Sequence, residues 1–166
     1  VRIQPQILGG GQQNGMRSGT DNVPGIAGLG MAAGIVYTDF DKKTAHMYEL
    51  RDHFIESVQR IEGVSVNGRT DHTNAPHVVS VSVDGVRAEV MLHTLEDRQI
   101  YASAGSACSS NKPAISSTLK SIGLKQSLLD STIRFSFCVN TTQEEIDYAV
   151  SVMAEVIPML RRYTRR

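Results

Sequence analysis

IRFSFCVNTTQEEID, Ile133 to Asp147, holds a strand, a turn and the start of a helix in one short run. Ile133, Phe135 and Phe137 alternate with Thr132, Arg134, Ser136 and Cys138, so a strand here has one apolar and one polar face. Thr142 and Glu145 then stand at capping-box spacing. Beyond them Ile146, Ala149, Val150, Met153 and Leu160 recur as a helical stripe, with a kink expected at Pro158. A strand buried on one face, followed by a helix buried along one stripe, specifies a two-layer α/β domain.

The residues upstream extend that sheet. Val64-Ser65-Val66 before Asn67-Gly68 reads as a short strand and turn. From His77 to Val83 the alternation is clean, with Val79, Val81 and Val83 on one face. Val86 to Leu95 reads as a short amphipathic helix, and Ile100 to Ala102 as a strand end. Pro113 opens another predicted helix, which Gly123 stops. Toward the N-terminus, Ile26, Ala33, Phe40, Met47, Phe54 and Ile61 recur every seventh residue. This predicts one long helix from Val23 to Ile61, about 55 Å at 1.5 Å per residue, with a bend among Gly25, Gly28, Gly30 and Gly34. Lys43 and Ser57 between the seam positions favour packing on a sheet or partner domain over a coiled coil. Arg2 to Leu8 resembles a strand entering the turn at Gly9-Gly10-Gly11, and the α/β core accounts poorly for the first 35 or so residues.

Bulk composition narrows the function classes. The chain has 166 residues, one domain in size. Seventeen basic residues balance seventeen acidic ones, so no global charge points to nucleic acid or a membrane surface. No apolar run reaches the ~18 residues of a membrane span. Two cysteines in unlike contexts favour a reducing, cytoplasmic setting. The histidines lack metal-ligand spacing, so no metal is expected.

Three residues stand out as chemistry carriers. Cys108 lies in SAGSACSSNKP, Ser103 to Pro113, with no large apolar residue before Pro113 to hold it in a core. A thiol on a loop leaving a strand is placed to react, or is a buried or merely incidental loop cysteine. Arg134, in mid-strand, faces solvent or an anion, and its fork matches a carboxylate. Thr20 sits in a glycine-bordered turn at a helix start, where it serves either a phosphate or, like Asp21, the helix cap. The glycine triplet lacks P-loop spacing and its lysine. Cys138 reads as a packed or half-exposed thiol.

Three segments in register, GGGQQNGMRSGTDNVPGIAG (Gly9 to Gly28), SAGSACSS (Ser103 to Ser110) and the Ile133–Asp147 run, resemble the second half of a cysteine desulfurase. The type is NifS/IscS-like, in the class V aminotransferase group of pyridoxal-phosphate enzymes. The resemblance implies the small C-terminal domain of a fold-type I enzyme: a short-stranded sheet covered by helices, preceded by a long linking helix. Residues 1–35 would be a remnant of the large cofactor domain with the start of that helix, and residues 36–166 the small domain. It further implies that Cys108 is the nucleophile that takes the sulfur of L-cysteine as a persulfide and releases L-alanine. Arg134 would hold the substrate carboxylate. Thr20 would reach the phosphate of pyridoxal 5'-phosphate in the second subunit of a homodimer. A sulfur acceptor or iron–sulfur scaffold would be the partner, served by a moving loop from Ala104 to Lys112.

The chain also departs from the family. The Ser-x-His-Lys motif of the Schiff-base lysine is absent, as are the family's ring-stacking histidine and pyridine-pairing aspartate. The chain is therefore expected to be the C-terminal portion of a larger enzyme, inactive alone. Gln13 replaces a common glutamate, and Cys138-Val139-Asn140 a glycine-containing turn. Two other readings stand beside this one: a class V transaminase or selenocysteine lyase without persulfide transfer, and a non-enzymatic thiol module that only accepts sulfur.

Overall fold

The structure, a computed structural model, describes residues 4–104 and 116–163. The chain divides into two compact units, Val1–Phe40 and Asp41–Arg166.

In the first unit the glycine-rich stretch forms a braced turn. A short 3-10 helix, Gln12–Gly15, passes through left-handed backbone at Gln13 and Asn14. The Ser18 amide donates to the Ile7 carbonyl at 3.2 Å, and its hydroxyl to the Gly10 carbonyl at 2.8 Å. Residues 4–8 form no strand, contrary to expectation: Ser18 is too isolated a partner for a ladder. Helix α1, Val23–Tyr37, is capped by Asn22, whose side chain accepts from the Gly25 amide at 3.1 Å. The cap thus falls on neither Thr20 nor Asp21. The apolar composition of α1 leaves no polar side; none of its residues is buried, and Val23, Leu29, Met31 and Ile35 are more than half exposed.

The predicted continuous helix is interrupted. At Thr38 the backbone turns extended, and both its amide and hydroxyl bond the Gly34 carbonyl, at 3.0 and 2.8 Å. Asp39 follows at φ 53°, left-handed backbone that aspartate tolerates better than most residues. Helix α2 then runs Phe40–Val58. The bend expected at the glycines is therefore a break four residues beyond Gly34. A seven-residue count stays in phase across it, which is why periodicity alone missed it.

The second unit is built on a three-stranded antiparallel sheet, β1 (Val64–Asn67), β2 (Val78–Val83) and β3 (Thr132–Ser136), ordered β1-β2-β3. Val64 and Val66 pair with Val83 and Val81, and Val81 pairs with Ile133, so one face is continuously apolar. Three helices bury it: α2, α3 (Ala88–Glu96) and the long C-terminal helix (Gln143–Tyr163). Phe54 of α2 packs against Phe135 in a tilted and Phe137 in an edge-on arrangement, at 4.8 and 5.4 Å between ring centroids. Between α3 and β3 lie two short helices, α4 (Ser117–Ser121) and α5 (Gln126–Leu129), so the C-terminal helix is α6. The expected α/β fold, a short-stranded sheet covered by helices, is thus observed.

Smaller differences have local causes. Ser116, not Pro113, heads α4, its hydroxyl accepting from the Leu119 amide at 3.3 Å; Pro113 lies outside the described residues. Gly123, at φ 78°, ends that turn as expected. Ile100 to Ala102 forms no strand, because only Ser103 reaches a neighbour, in an isolated bridge to Arg134. The Thr142–Glu145 capping box is reciprocal, at 2.9 and 3.3 Å. Helix α6 continues through Pro158, and its buried stripe is Ile146, Ala149, Val152, Met153, Val156 and Ile157. Val150 and Leu160 are only partly buried.

One loop is secured by a buried cation. Arg51 of α2 is 2 % exposed and donates to the Thr70 and Asp71 carbonyls at 2.7 and 3.2 Å and to Asp52 at 2.9 Å. His72 contacts the other Asp52 oxygen at 2.7 Å and stacks on Tyr48. No single described helix is long and apolar enough to cross a membrane.

Candidate functional site

The polar face of the sheet carries the candidate site. Directly paired residues of an antiparallel sheet share a face. Asn67 pairs with Ser80, Ser80 with Arg134, and Arg134 with Ser103 across the isolated bridge. These four side chains form one polar row across four chain segments. Arg134 spends its backbone on Ser103, its amide donating at 2.7 Å and its carbonyl accepting at 3.0 Å. Its pairing with Ser80 is therefore of the non-hydrogen-bonded kind, in which opposing side chains lie closest.

The row floors a cleft of about 280 Å³. Ser116, Leu119 and Ile122 wall it from the α4 side. Arg134 is the only charged residue in the described lining, and among the described residues none accepts from or pairs with its guanidinium. A cation in a small, partly apolar cleft, with no counter-ion among the described residues, is suited to a small anion; its planar fork suits a carboxylate.

Beneath the row lies a buried hydroxyl network that the sequence reading passed over. Asn67 Nδ2 donates to Ser80 Oγ at 3.2 Å and to Ser82 Oγ at 2.8 Å. Ser82 Oγ lies 2.7 Å from Thr132 Oγ1, which donates to the Leu128 carbonyl at 2.7 Å. Ser82 is fully buried. The signal was available in Val78-Val-Ser-Val-Ser-Val83, whose serines must face away from the valines of the core.

The other candidates are dispersed. Cys108 and the loop residues 105–112 lie outside the described residues. The two residues nearest to that stretch in the cleft are Ser103 and Ser116. Thr20 belongs to the first unit, is exposed, and its carbonyl accepts from Arg17 at 3.2 Å. Cys138 is an exposed free thiol at the exit of β3. A hydrogen bond from the Thr141 hydroxyl, and then one from the Asn140 backbone, lower its pKa. It does not line the cleft. Among the described residues no group of histidines, cysteines and carboxylates is placed to hold a metal.

The family model for aminotransferase class-V matches residues 6–149, most of the chain. The chain belongs to the class-V aminotransferases. Within that family it is similar to cysteine desulfurase IscS of Rickettsia rickettsii (strain Iowa), 41% identical over 97% of this chain and 39% of the relative. The IscS of Vibrio atlanticus (strain LGP32) is 39% identical over the same shares. A solved NifS-like protein superposes with a TM-score of 0.80 at 30% identity, covering 96% of this chain and 40% of that one. The cysteine desulfurase CsdA from Escherichia coli shares the fold, with a TM-score of 0.66 at 19% identity. The chain thus spans about two fifths of the length of the curated relatives it matches.

Proposed function

We propose that this chain is the substrate-binding, small-domain part of a cysteine desulfurase that converts L-cysteine to L-alanine and leaves the sulfur as a persulfide. In this reading residues 36–166 are the small domain and residues 1–35 belong with the large cofactor domain. The observation that carries it is the Ser103–Arg134 bridge. It ties the segment leading to Cys108 to Arg134, which lines the cleft and has no counter-ion among the described residues. Substrate holder and nucleophile-bearing segment thus start from one point of the sheet.

The roles follow from the chain's own chemistry. Arg134 binds the carboxylate of cysteine with paired N–H donors and so fixes its orientation. Leu119 and Ile122 give the cleft an apolar wall, and a less polar surrounding strengthens that pairing. The Cys108 thiolate attacks the substrate sulfur; the C–S bond breaks with its electron pair left on the substrate carbon, which takes up a proton on the way to alanine, and Cys108 keeps the sulfur as S–S–H. Pyridoxal 5'-phosphate supplies the electron sink that makes the C–S bond labile. Thr20, an exposed residue beside Gly19, would hold its phosphate from the second subunit of a homodimer. No described lysine lines the cleft, so this chain's described residues supply only part of that cofactor's site. A sulfur acceptor or iron–sulfur scaffold in a cytoplasmic setting would take the persulfide.

The test is to place Cys108→Ser and Arg134→Ala in the desulfurase that carries this segment. Cys108→Ser should abolish sulfide and persulfide release with the circular-dichroism spectrum unchanged. Full alanine-forming turnover without Cys108 would favour a transaminase or lyase lacking persulfide transfer.

A further inference from the structure

The hydroxyl network beneath Arg134 has a direction. Thr132 has one hydroxyl proton, and it goes to the Leu128 carbonyl. Ser82 Oγ then has two acceptors within reach, Thr132 Oγ1 at 2.7 Å and Asn67 Oδ1 at 3.2 Å, and its proton goes to the nearer. Ser82, having spent its proton, can only accept from Asn67, which turns the Asn67 amide nitrogen toward the two serines. The second proton of that nitrogen points at Ser80 Oγ. Ser80 is thus an acceptor on its strand side, and its own proton has no acceptor among the described residues. Ser80 lines the cleft and is the closest-approach partner of Arg134 across β2 and β3.

Building on the carboxylate reading of Arg134, we propose that Ser80 is a second substrate-binding donor: its hydroxyl bonds the same carboxylate that the guanidinium holds, with Asn67 positioning it. A carboxylate has about four lone-pair sites, so a bidentate arginine leaves room for a further donor. The buried chain from Leu128 to Asn67 keeps the Ser80 proton on the cleft side instead of letting it turn inward.

The experiment is a titration of the full-length protein that carries this segment with L-alanine, read by NMR at the Arg134 Nε–H, with L-alaninamide as the ligand lacking the carboxylate. L-alanine should shift the Arg134 signal and L-alaninamide should not. Ser80→Ala should raise the dissociation constant for L-alanine about tenfold, as expected for a lost hydrogen bond to a charged group. Ser80→Thr, which keeps the hydroxyl, should restore most of it. If Ser80→Ala disturbs the backbone amide spectrum, Ser80→Cys gives the same comparison with the side-chain volume kept. Equal affinity in wild type and the serine variants, with binding lost in Arg134→Ala, would overturn the role of Ser80 and leave the carboxylate reading standing. No L-alanine binding by the wild-type protein, or binding that survives Arg134→Ala, would overturn both.

Discussion

Arg134 shows how a single residue is placed by its backbone. Its amide and carbonyl are committed to Ser103, so its side chain must share a face with Ser80 and Asn67, away from the core. If the proposed desulfurase function holds, Arg134→Ala in the full-length protein should raise the KM for cysteine roughly tenfold to a hundredfold, the cost of a lost charge-assisted pair. The absorbance of the cofactor should stay unchanged; a changed spectrum with an unchanged KM would make Arg134 structural. Arg134→Lys should recover only part, because a point charge cannot form two parallel bonds. Asp71 is a second residue-level case. Hydrogen bonds from Thr73 and Arg69 lower its pKa from 3.8 to about 2. Burial opposes the shift at Asp52, but bonds from His72 and Arg51 outweigh it, and its pKa is also lowered. Both are depressed carboxylates, so their stabilising effect is complete above the unfolded value and is lost as pH falls through the folded one. The loop from Arg69 to Asn74 should therefore loosen between pH 4 and pH 2 ahead of the sheet, visible as earlier loss of amide-exchange protection there.

At the scale of elements, α2 serves two surfaces. One is the core, through Leu50, Phe54 and Val58 at four-residue spacing, and the other is the loop after β1, through Arg51. Arg51→Ala leaves the Thr70 carbonyl without its donor, removes one of two donors from the Asp71 carbonyl and opens packing around Tyr48. It should destabilise the second unit by about 2–4 kcal/mol, measurable as a lower urea midpoint. The break between α1 and α2 is set by two residues in sequence, Thr38 closing on Gly34 and Asp39 in left-handed backbone. Asp39→Gly should be neutral or stabilising by up to about 1 kcal/mol, since glycine adopts that conformation freely. Asp39→Val should cost about 1–2 kcal/mol. A straightened helix would reverse that order.

At the scale of the molecule, the first unit carries Thr20 and a helix with no buried face, while the cleft and its arginine belong to the second. Lys42 and Lys43 lie on α2, Lys120 on α4 and Lys125 just before α5, none of them in the cleft lining. Incubation of the 166-residue chain with pyridoxal 5'-phosphate, then borohydride reduction and peptide mapping, should find no stoichiometric lysine adduct. One uniquely modified lysine, with alanine formed from cysteine, would show that the chain carries its own complete cofactor site.

Alternation and helical spacing sufficed for β2, β3, α3 and α6, because each element must hide its apolar residues on one side and its local pattern records which side. The polar face of β3, and with it the exposure of Arg134, followed from the same rule. Three things were not legible in the local hydrophobic pattern. The break at Asp39 is invisible to a period that stays in phase across it. Arg51 looks like a surface charge until the carbonyls of Thr70 and Asp71 reach it from a loop some twenty residues away. The direction of the Thr132–Ser82–Asn67–Ser80 network exists only once three strands are in register, since a hydroxyl donates according to which neighbours have already spent their protons. Local pattern determined what each residue could be; pairing across the sheet decided which protons and charges were left facing the cleft.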